Sequence, residues 1–507
     1  MPRRLIQLAS LLLALASLAS SAASRTKSKA KSREPVIAAA ALVGEIVPAS
    51  APAAILLDGA DAASGLVALL SSAGRYAPSL QPRLISQDLS RALGVDPFSP
   101  GIDAGLAGSG PRAIILDPRA LAFTAPVGDE ALAKHALQVW LSQLGPVRPT
   151  RQSPGPLHGP LVSGGGDQVR AGMIAPVAGS MRLITASGRN AAALVSQLAH
   201  VGRKKQDNTP LGMDETLSAA LSAVPGPLRL WSRGQAPVLG ALVSLDANAN
   251  GLSAHGLLLA IAGSAALLDG TAPPESACDG TPLFCARAAP GPALRTLAPL
   301  LIRELVARDL FGRQRDPIDR LLQGALSLTQ GPVLLRVDSL SARALTTPEK
   351  LLGALTSSLS SGASAEPLAM PSPLPAQWAA LPAPQIGAML APATQLCLQS
   401  QTGLLWLSSP CAPAPPHLLE TGGAREITAR LDSAALARSL SPLTALDALR
   451  GPLAAGAFAG KLLWGALFAN SGPIDLAARP TTQTDAALAG ALDLSFAWPL
   501  SSAGAQQ

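Results

Sequence analysis

Residues 241–262, ALVSLDANANGLSAHGLLLAIA, constrain the fold more than any other stretch of the chain. Two apolar arms meet at Asn250-Gly251, and a two-residue type I′ turn needs positive φ at both central positions, which Asn and Gly adopt at least cost. An antiparallel hairpin is therefore expected near the middle of the chain. A turn at that point sets Asp246 opposite His255, a surface pair worth about 0.2–1 kcal/mol. The same loop reads Asp246-x-Asn248-x-Asn250-Gly251, the opening half of a calcium-binding pattern. Such a loop needs a bidentate acid eleven residues after the first Asp, and that position is Leu257. Asp246, Asn248 and Asn250 are thus a weak calcium candidate, and the turn alone accounts for the Asn-Gly pair.

Upstream, helical and strand patterns follow one another closely. A short buried strand begins after Pro52, and a helix capped by Asp61 or Ser64 ends at Gly74. Leu84, Ile85, Leu89 and Leu93 mark a second helix, stopped by Gly94; a strand is expected over 112–116. Asp129 and Glu130 open a third helix, where acidic charge suits the positive end of the helix dipole. A Pro-rich loop spans 145–166, followed by strands at 170–175 and 180–185, helices from Asn190 and from Asp214, and a strand at 228–231.

The second half follows the same order. A strand is expected at 282–287, helices at 292–310 and 318–328, a strand at 333–337 and a helix after Thr347-Pro348. Then come a Ser/Pro loop, strands at 386–390 and 394–399, a strand at 426–431, a helix capped by Asp432-Ser433, and an apolar helix at 452–470. A closing hairpin sets Ile474, Leu476 and Ala478 against Leu488, Leu492, Leu494 and Phe496 across the polar loop 480–485. This order predicts an α+β fold: a tandem duplication of a mixed or antiparallel sheet unit packed with helices, each half closing in a β-hairpin. The chain of 507 residues also exceeds one ordinary core. The expected division is a signal peptide at 1–23, a basic linker at 24–47, and α+β domains at 48–271 and 272–507.

The export signal rests on Arg3 and Arg4, the apolar run 5–18 and the small residues Ser21-Ala22-Ala23. The formal charge of +7 sits wholly in residues 1–33, which hold seven cations and no acid, so the rest carries 32 of each sign. A neutral body argues against nucleic acid as a partner. All four cysteines lie in the second half, and in an exported chain an even count favours disulfides, expected here as Cys278–Cys285 and Cys397–Cys411. No CxxC knuckle supports a zinc site.

Catalytic motifs are not assembled. The body has no HExxH and no GxSxG, and the histidines at 135, 158, 200, 255 and 417 have no ligand-spaced partner. Gly105, Gly108 and Gly110 precede the strand at 112 instead of following one, which defeats a dinucleotide-binding reading. Asp96 and Asp103 share that loop, and Asp96-Pro97 is turn chemistry. The run 453–468 carries Gly456 and Gly460 but also Lys461 and flanking prolines, too short a stretch for a membrane span.

The strand after Pro48, the ALGVDPFSP turn at 92–100 and the late hairpin with its Asn-Gly turn resemble a family of exported bacterial proteins of unknown function. The resemblance implies an α+β envelope protein and carries over no functional residues. The expectation is an exported, non-catalytic binding or structural protein, periplasmic or extracellular, without a cofactor, whose partner is an envelope protein or a small apolar ligand. An unrecognised hydrolase with its site between the halves, or a carrier of an apolar ligand or lipid, are the alternatives.

Overall fold

The computed structural model describes residues 44–76, 80–150, 159–166, 168–202, 209–234, 238–261, 266–292, 332–337, 397–401, 404–408, 424–440 and 466–500. The expected signal peptide, residues 24–43 of the expected linker, the helices at 292–310, 318–328 and after 347, the strand at 386–390 and most of the helix at 452–470 lie outside the described residues. The last residues of that linker are packed, with Ile46 and Val47 2% and 0% exposed and the Val47 carbonyl accepting from Leu211 N–H at 2.7 Å.

The first segment gives strands β1 (Ala53–Leu57), β2 (Arg112–Asp117), β3 (Ala120–Pro126), β4 (Arg148–Pro149), β5 (Leu161–Gly165), β6 (Gln168–Val177), β7 (Ser180–Gly188), β8 (Leu228–Arg233), β9 (Val238–Asn248) and β10 (Gly251–Ala260). The second gives β11 (Phe284–Ala288), β12 (Val333–Val337), β13 (Cys397–Gln401), β14 (Leu404–Ser408), β15 (Ile427–Leu431), β16 (Ile474–Pro480) and β17 (Leu492–Pro499). Among the described residues these strands form one sheet of 17 strands. Its spatial order is β4-β5-β6-β7-β3-β2-β1-β8-β9-β10-β17-β16-β15-β11-β12-β14-β13. Every pairing is antiparallel except β12 with β14. The fold is α+β, and the sheet runs unbroken through both segments because β10 pairs with β17 over eight residues, from Gly251↔Pro499 to Leu258↔Leu492.

Helices cover both faces of the first segment. Against one face lie α1 (Ser64–Ala73), α2 (Pro82–Leu93) and α3 (Glu130–Ser142), burying Leu69, Leu89 and Trp140 over Ile55, Ile114 and Phe123. Against the other lie α4 (Ala191–Ala199) and α5 (Glu215–Ala223), whose Leu194, Leu198 and Leu221 pack on Leu56, Ile115 and Ile184. Covered on both sides, β1 and β2 read as continuous apolar runs instead of alternating. Neither Asp61 nor Ser64 caps α1, whose N-cap is Ala63 with no side-chain bond because a single turn at Ala60–Ala63 runs directly into it, but other helix ends follow their sequence signals. Asp129 accepts from the N–H groups of Ala131 and Leu132 at 2.9 and 3.0 Å, and Asp214 from Leu217 at 3.0 Å. Gly94 closes α2 at φ 83°, where a side chain would strain the backbone. In the second segment Asp432 caps α6 (Ser433–Leu440) through Ala435 N–H at 2.8 Å.

Three expectations need correction. The central hairpin turns at Ala249-Asn250, with Asn248 opposite Gly251, so its register is shifted by two residues from the sequence reading. Asp246 faces Ser253 and His255 faces Ser244, and the expected Asp246–His255 cross-strand pair does not form. The Asn248 side chain decides this, because its Oδ1 accepts the Asn250 N–H at 2.8 Å and closes an Asx turn one step earlier. Gly251 serves the neighbouring strand instead: at φ 155°, a Cβ there would lie 2.6 Å from the Trp498 carbonyl oxygen. Second, β3 was not expected; an Asx turn of the same kind, with Asp117 Oδ1 accepting Arg119 N–H at 2.8 Å, folds it straight back on β2. Third, the Pro-rich stretch 145–166 contains β4 and β5, and β14 adds a strand at 404–408.

Candidate functional site

Directly paired residues of adjacent strands project from the same face. Around the β10–β17 seam, one face carries Leu252, Ala254, Leu494, Phe496 and Trp498 into the core. The other face carries polar side chains. Ser244, His255, Ser495 and Thr428 stand in one row across β9, β10, β17 and β15, with Ala477 of β16 between the last two. The adjacent row runs Asp246, Ser253, Ala497, Asp475 and Arg430. Asp246, Ser253, His255, Ala497 and Arg430 are exposed. Ser244 and Ala477 are 2% and 1% exposed, and Leu242 and Leu257 in the next row belong to the second core, so this face is solvated only around the Asp246–Arg430 row and His255. Arg430 lies 3.7 Å from Asp475 across the strands, an exposed pair worth about 0–1 kcal/mol.

Toward β11 the polar face closes over. Glu426, 3% exposed, accepts from Arg287 Nη2 at 2.5 Å and from Arg479 Nε at 2.6 Å. Arg287, itself 4% exposed, also donates from Nη1 to the Pro273 carbonyl at 2.8 Å. One carboxylate thus holds the end of β15 to β11 and to β16. No sequence spacing announces it, since the partners lie 139 and 53 residues apart.

Other buried guanidinium groups are spent on the chain's own backbone. Arg112 holds the turn-rich loop before β2 by donating to the carbonyls of Ser99, Pro100 and Ala107. Arg182 donates to Thr124 Oγ1 at 3.0 Å and to the Pro111 carbonyl at 2.6 Å; burial, and then the charge of Arg112, pushes it down to about 10. Arg170 stacks over Trp140, 5.0 Å from the ring centroid, and donates to the carbonyls of Trp140 and Arg91. Arg229 reaches Asp58 at 2.5 Å.

Burial raises the Asp58 carboxyl above its ordinary 3.8, and Arg229 offsets only part of that. Asp475 is raised in the same way against Arg430. A carboxyl whose native pKa exceeds its unfolded value binds extra protons in the native state between the two values. Its contribution to stability therefore grows as pH falls through the native pKa and is level below 3.8. The stability advantage of the wild type over Asp58→Asn should widen on going from about pH 6 to pH 4 in urea unfolding. A gap that narrows would mean that the Arg229 charge outweighs burial.

The residues singled out in the sequence do not converge. Asp246 and Asn248 share the exposed C-terminal end of β9, but the Asn248 oxygen is engaged in the turn. Asp96 Oδ2 accepts the Ser86 hydroxyl at 2.5 Å and Oδ1 the Phe98 N–H at 3.0 Å, while Asp103 sits apart in an exposed single turn. Gly105 lets its loop lie against the start of α3: its carbonyl accepts from Gly128 and Asp129, and a Cβ would meet the Asp129 oxygen at 2.4 Å. His200 Nδ1 lies 2.7 Å from the Ser196 carbonyl; His158 and His417 fall outside the described residues. Cys278 and Cys285 form the expected disulfide, and Cys411 lies outside the described residues. Among the described residues no group of three or more His, Cys, Asp or Glu is placed to hold a metal. Among them, too, no helix is long and apolar enough to cross a membrane.

No family model and no curated protein matches the chain. Among solved structures it is similar to crystal forms I, III and IV of a protein named TP0453, at 9%, 8% and 8% identity. The matches cover 43%, 44% and 43% of this chain and 77%, 80% and 79% of the other. Their TM-scores are 0.24, 0.20 and 0.20, and at that level the likeness carries no argument.

Proposed function

We propose that this is an exported, non-catalytic binding or structural protein of a bacterial envelope, and that it presents the solvated face of the β10–β17 seam to its partner. The observation that carries this reading is the patch of exposed residues Asp246, Ser253, His255, Ala497 and Arg430, which draws on strands from both segments and has the half-buried Ser495 and Asp475 among them. The buried polar side chains described above are used to hold strands and loops, a scaffold's use of them. The Cys278–Cys285 disulfide supports an oxidising compartment.

We infer further that the two segments are copies of one unit. β1 lies between β2 and β8 and leads to the meander β8-β9-β10; β11 lies between β12 and β15 and leads to the meander β15-β16-β17. The parallel β12–β14 pair supports the same reading. In the first segment β2 and β7 point the same way with β3 between them, and without a counterpart of β3 their equivalents become parallel neighbours.

A photo-crosslinking residue placed at His255, in intact cells of the source organism, tests the binding surface. A discrete adduct from position 255, absent from a control at exposed Arg233 on β8, is the expected result. No adduct at 255, or a chain kept in the cytoplasm with Cys278 and Cys285 reduced, sinks the proposal. Labelling of one serine or cysteine by a hydrolase-directed probe sinks its non-catalytic half.

A further inference from the structure

The segment linking the two sets of strands, residues 267–280, lies as a strap against β11, β12 and the start of β15. Its inner end is held by many bonds. Gly291 N–H donates to Leu267 O at 2.8 Å, Asp269 N–H to Ala289 O at 3.1 Å and Ala272 N–H to Ala424 O at 3.0 Å. Arg425 donates to the Leu268 carbonyl, and Arg287 to that of Pro273. The outer end, a single turn at Glu275–Cys278, has fewer holds: Arg336 Nη1 donates to the Ala277 carbonyl at 2.8 Å, and Cys278 is bonded to Cys285 of β11. Cys285 is 1% exposed and, with Ala277 and Leu334, makes a small core separate from the two large ones. Cys278 is only partly buried, and its neighbours Glu275, Ser276, Asp279 and Gly280 are exposed.

We propose that the Cys278–Cys285 disulfide is a redox-sensitive latch on this strap, opened by a dithiol reductant while the sheet stays paired. A thiolate of the dithiol reaches Cys278 Sγ from solvent, forms a mixed disulfide there and expels Cys285 as a thiolate, which takes up a proton. The second thiol of the reductant then displaces Cys278. The products are the reductant's cyclic disulfide and two protein thiols, two electrons having passed to the protein. Among the described residues, what holds the outer end then is the packing of Ala277 on Cys285 and Leu334, the Arg336 side chain with its hydrogen bond to the Ala277 carbonyl, and a weak contact of Cys285 Sγ with that carbonyl, 3.9 Å away. The inner end keeps every bond it had, so release is confined to residues 275–280.

Hydrogen exchange read by mass spectrometry on the full chain, with and without dithiothreitol, tests the latch. Cys278→Ser, examined without reductant, gives the open state while leaving Cys397 and Cys411 untouched. Both conditions should speed exchange at 275–280 by roughly tenfold or more and leave β1 to β10 and β15 to β17 unchanged. Unchanged exchange at 275–280 would mean that Arg336 and the packing of Ala277 hold the turn. Faster exchange throughout β11, β12 and β15 would mean that the disulfide secures the sheet and not the strap. Either result overturns the proposal.

Discussion

Glu426→Leu is expected to destabilise the protein by about 3–5 kcal/mol, the cost of stripping a buried charge of its partner. The effect falls on Arg287, which at 4% exposure cannot turn to water, whereas Arg479, with a side chain 35% exposed, can. Glu426 also ties β15 to β16, so its loss loosens two strand contacts through one side chain. The double variant Arg287→Leu/Glu426→Leu separates charge burial from packing, because removing both charges eliminates the orphan. Buried ion pairs replaced by apolar groups are often neutral or stabilising, and the double variant should recover most of what the single one loses. Urea unfolding of both variants measures this. A Glu426→Leu protein within about 1 kcal/mol of wild type would show that the carboxylate is not the keystone its geometry indicates.

The second large effect is expected from the end of the chain. A protein ending after Ala491 lacks β17, whose Leu492, Leu494, Phe496 and Trp498 are 3%, 2%, 4% and 6% exposed. Burying such a side chain contributes roughly 1.5–3 kcal/mol, so the four together rival the roughly 5–15 kcal/mol that keeps a typical domain folded. The truncation also bares facing edges of β10 and β16, whose free N–H and C=O groups template aggregation. Size-exclusion chromatography should show soluble aggregate or no soluble protein. Phe496→Ala, which keeps the strand and removes one ring, should cost about 3–5 kcal/mol. A monodisperse truncated chain with a wild-type melting temperature would show that the seam is dispensable.

Much of the first segment was legible because its signals are local. Gly94 stops α2, Asp129 and Asp214 cap α3 and α5, and the apolar runs of β1, β2 and β8 stand where the pattern put them. The pairing of β16 with β17 was legible for the same reason, with Leu476 against Phe496 and Ala478 against Leu494, but Leu488, expected on the second arm, lies in a single turn at Ala486–Leu488 before β17. Local signals also misled. Asn250-Gly251 carries the strongest turn signature in the chain, yet the Asn248 side chain two residues earlier set the register, and the glycine answers to Trp498. β3 was hidden because Asp117 folds it back within two residues and its side chains are buried on both faces, which erases alternation. The pairing of β10 with β17 joins residues some 240 positions apart, and no periodicity within either strand encodes that choice. The polar face was illegible for the same reason: its rows exist only once β9, β10, β17, β16 and β15 lie side by side.

The position of β17 also sets a timetable. A chain leaving the ribosome from its N-terminus completes β10 some 240 residues before it completes β17, yet the two are neighbours at the centre of the sheet. During that interval the first segment holds an eight-residue edge with no partner. Among the strand pairings of the described residues, the contact that unites the two sets is thus the longest in sequence span. Loop closure of that length slows folding, and a bare edge invites wrong partners while it waits. Completion of the sheet therefore waits on the synthesis of β17, and synthesis arrested shortly before residue 492 would yield an aggregation-prone form of the chain.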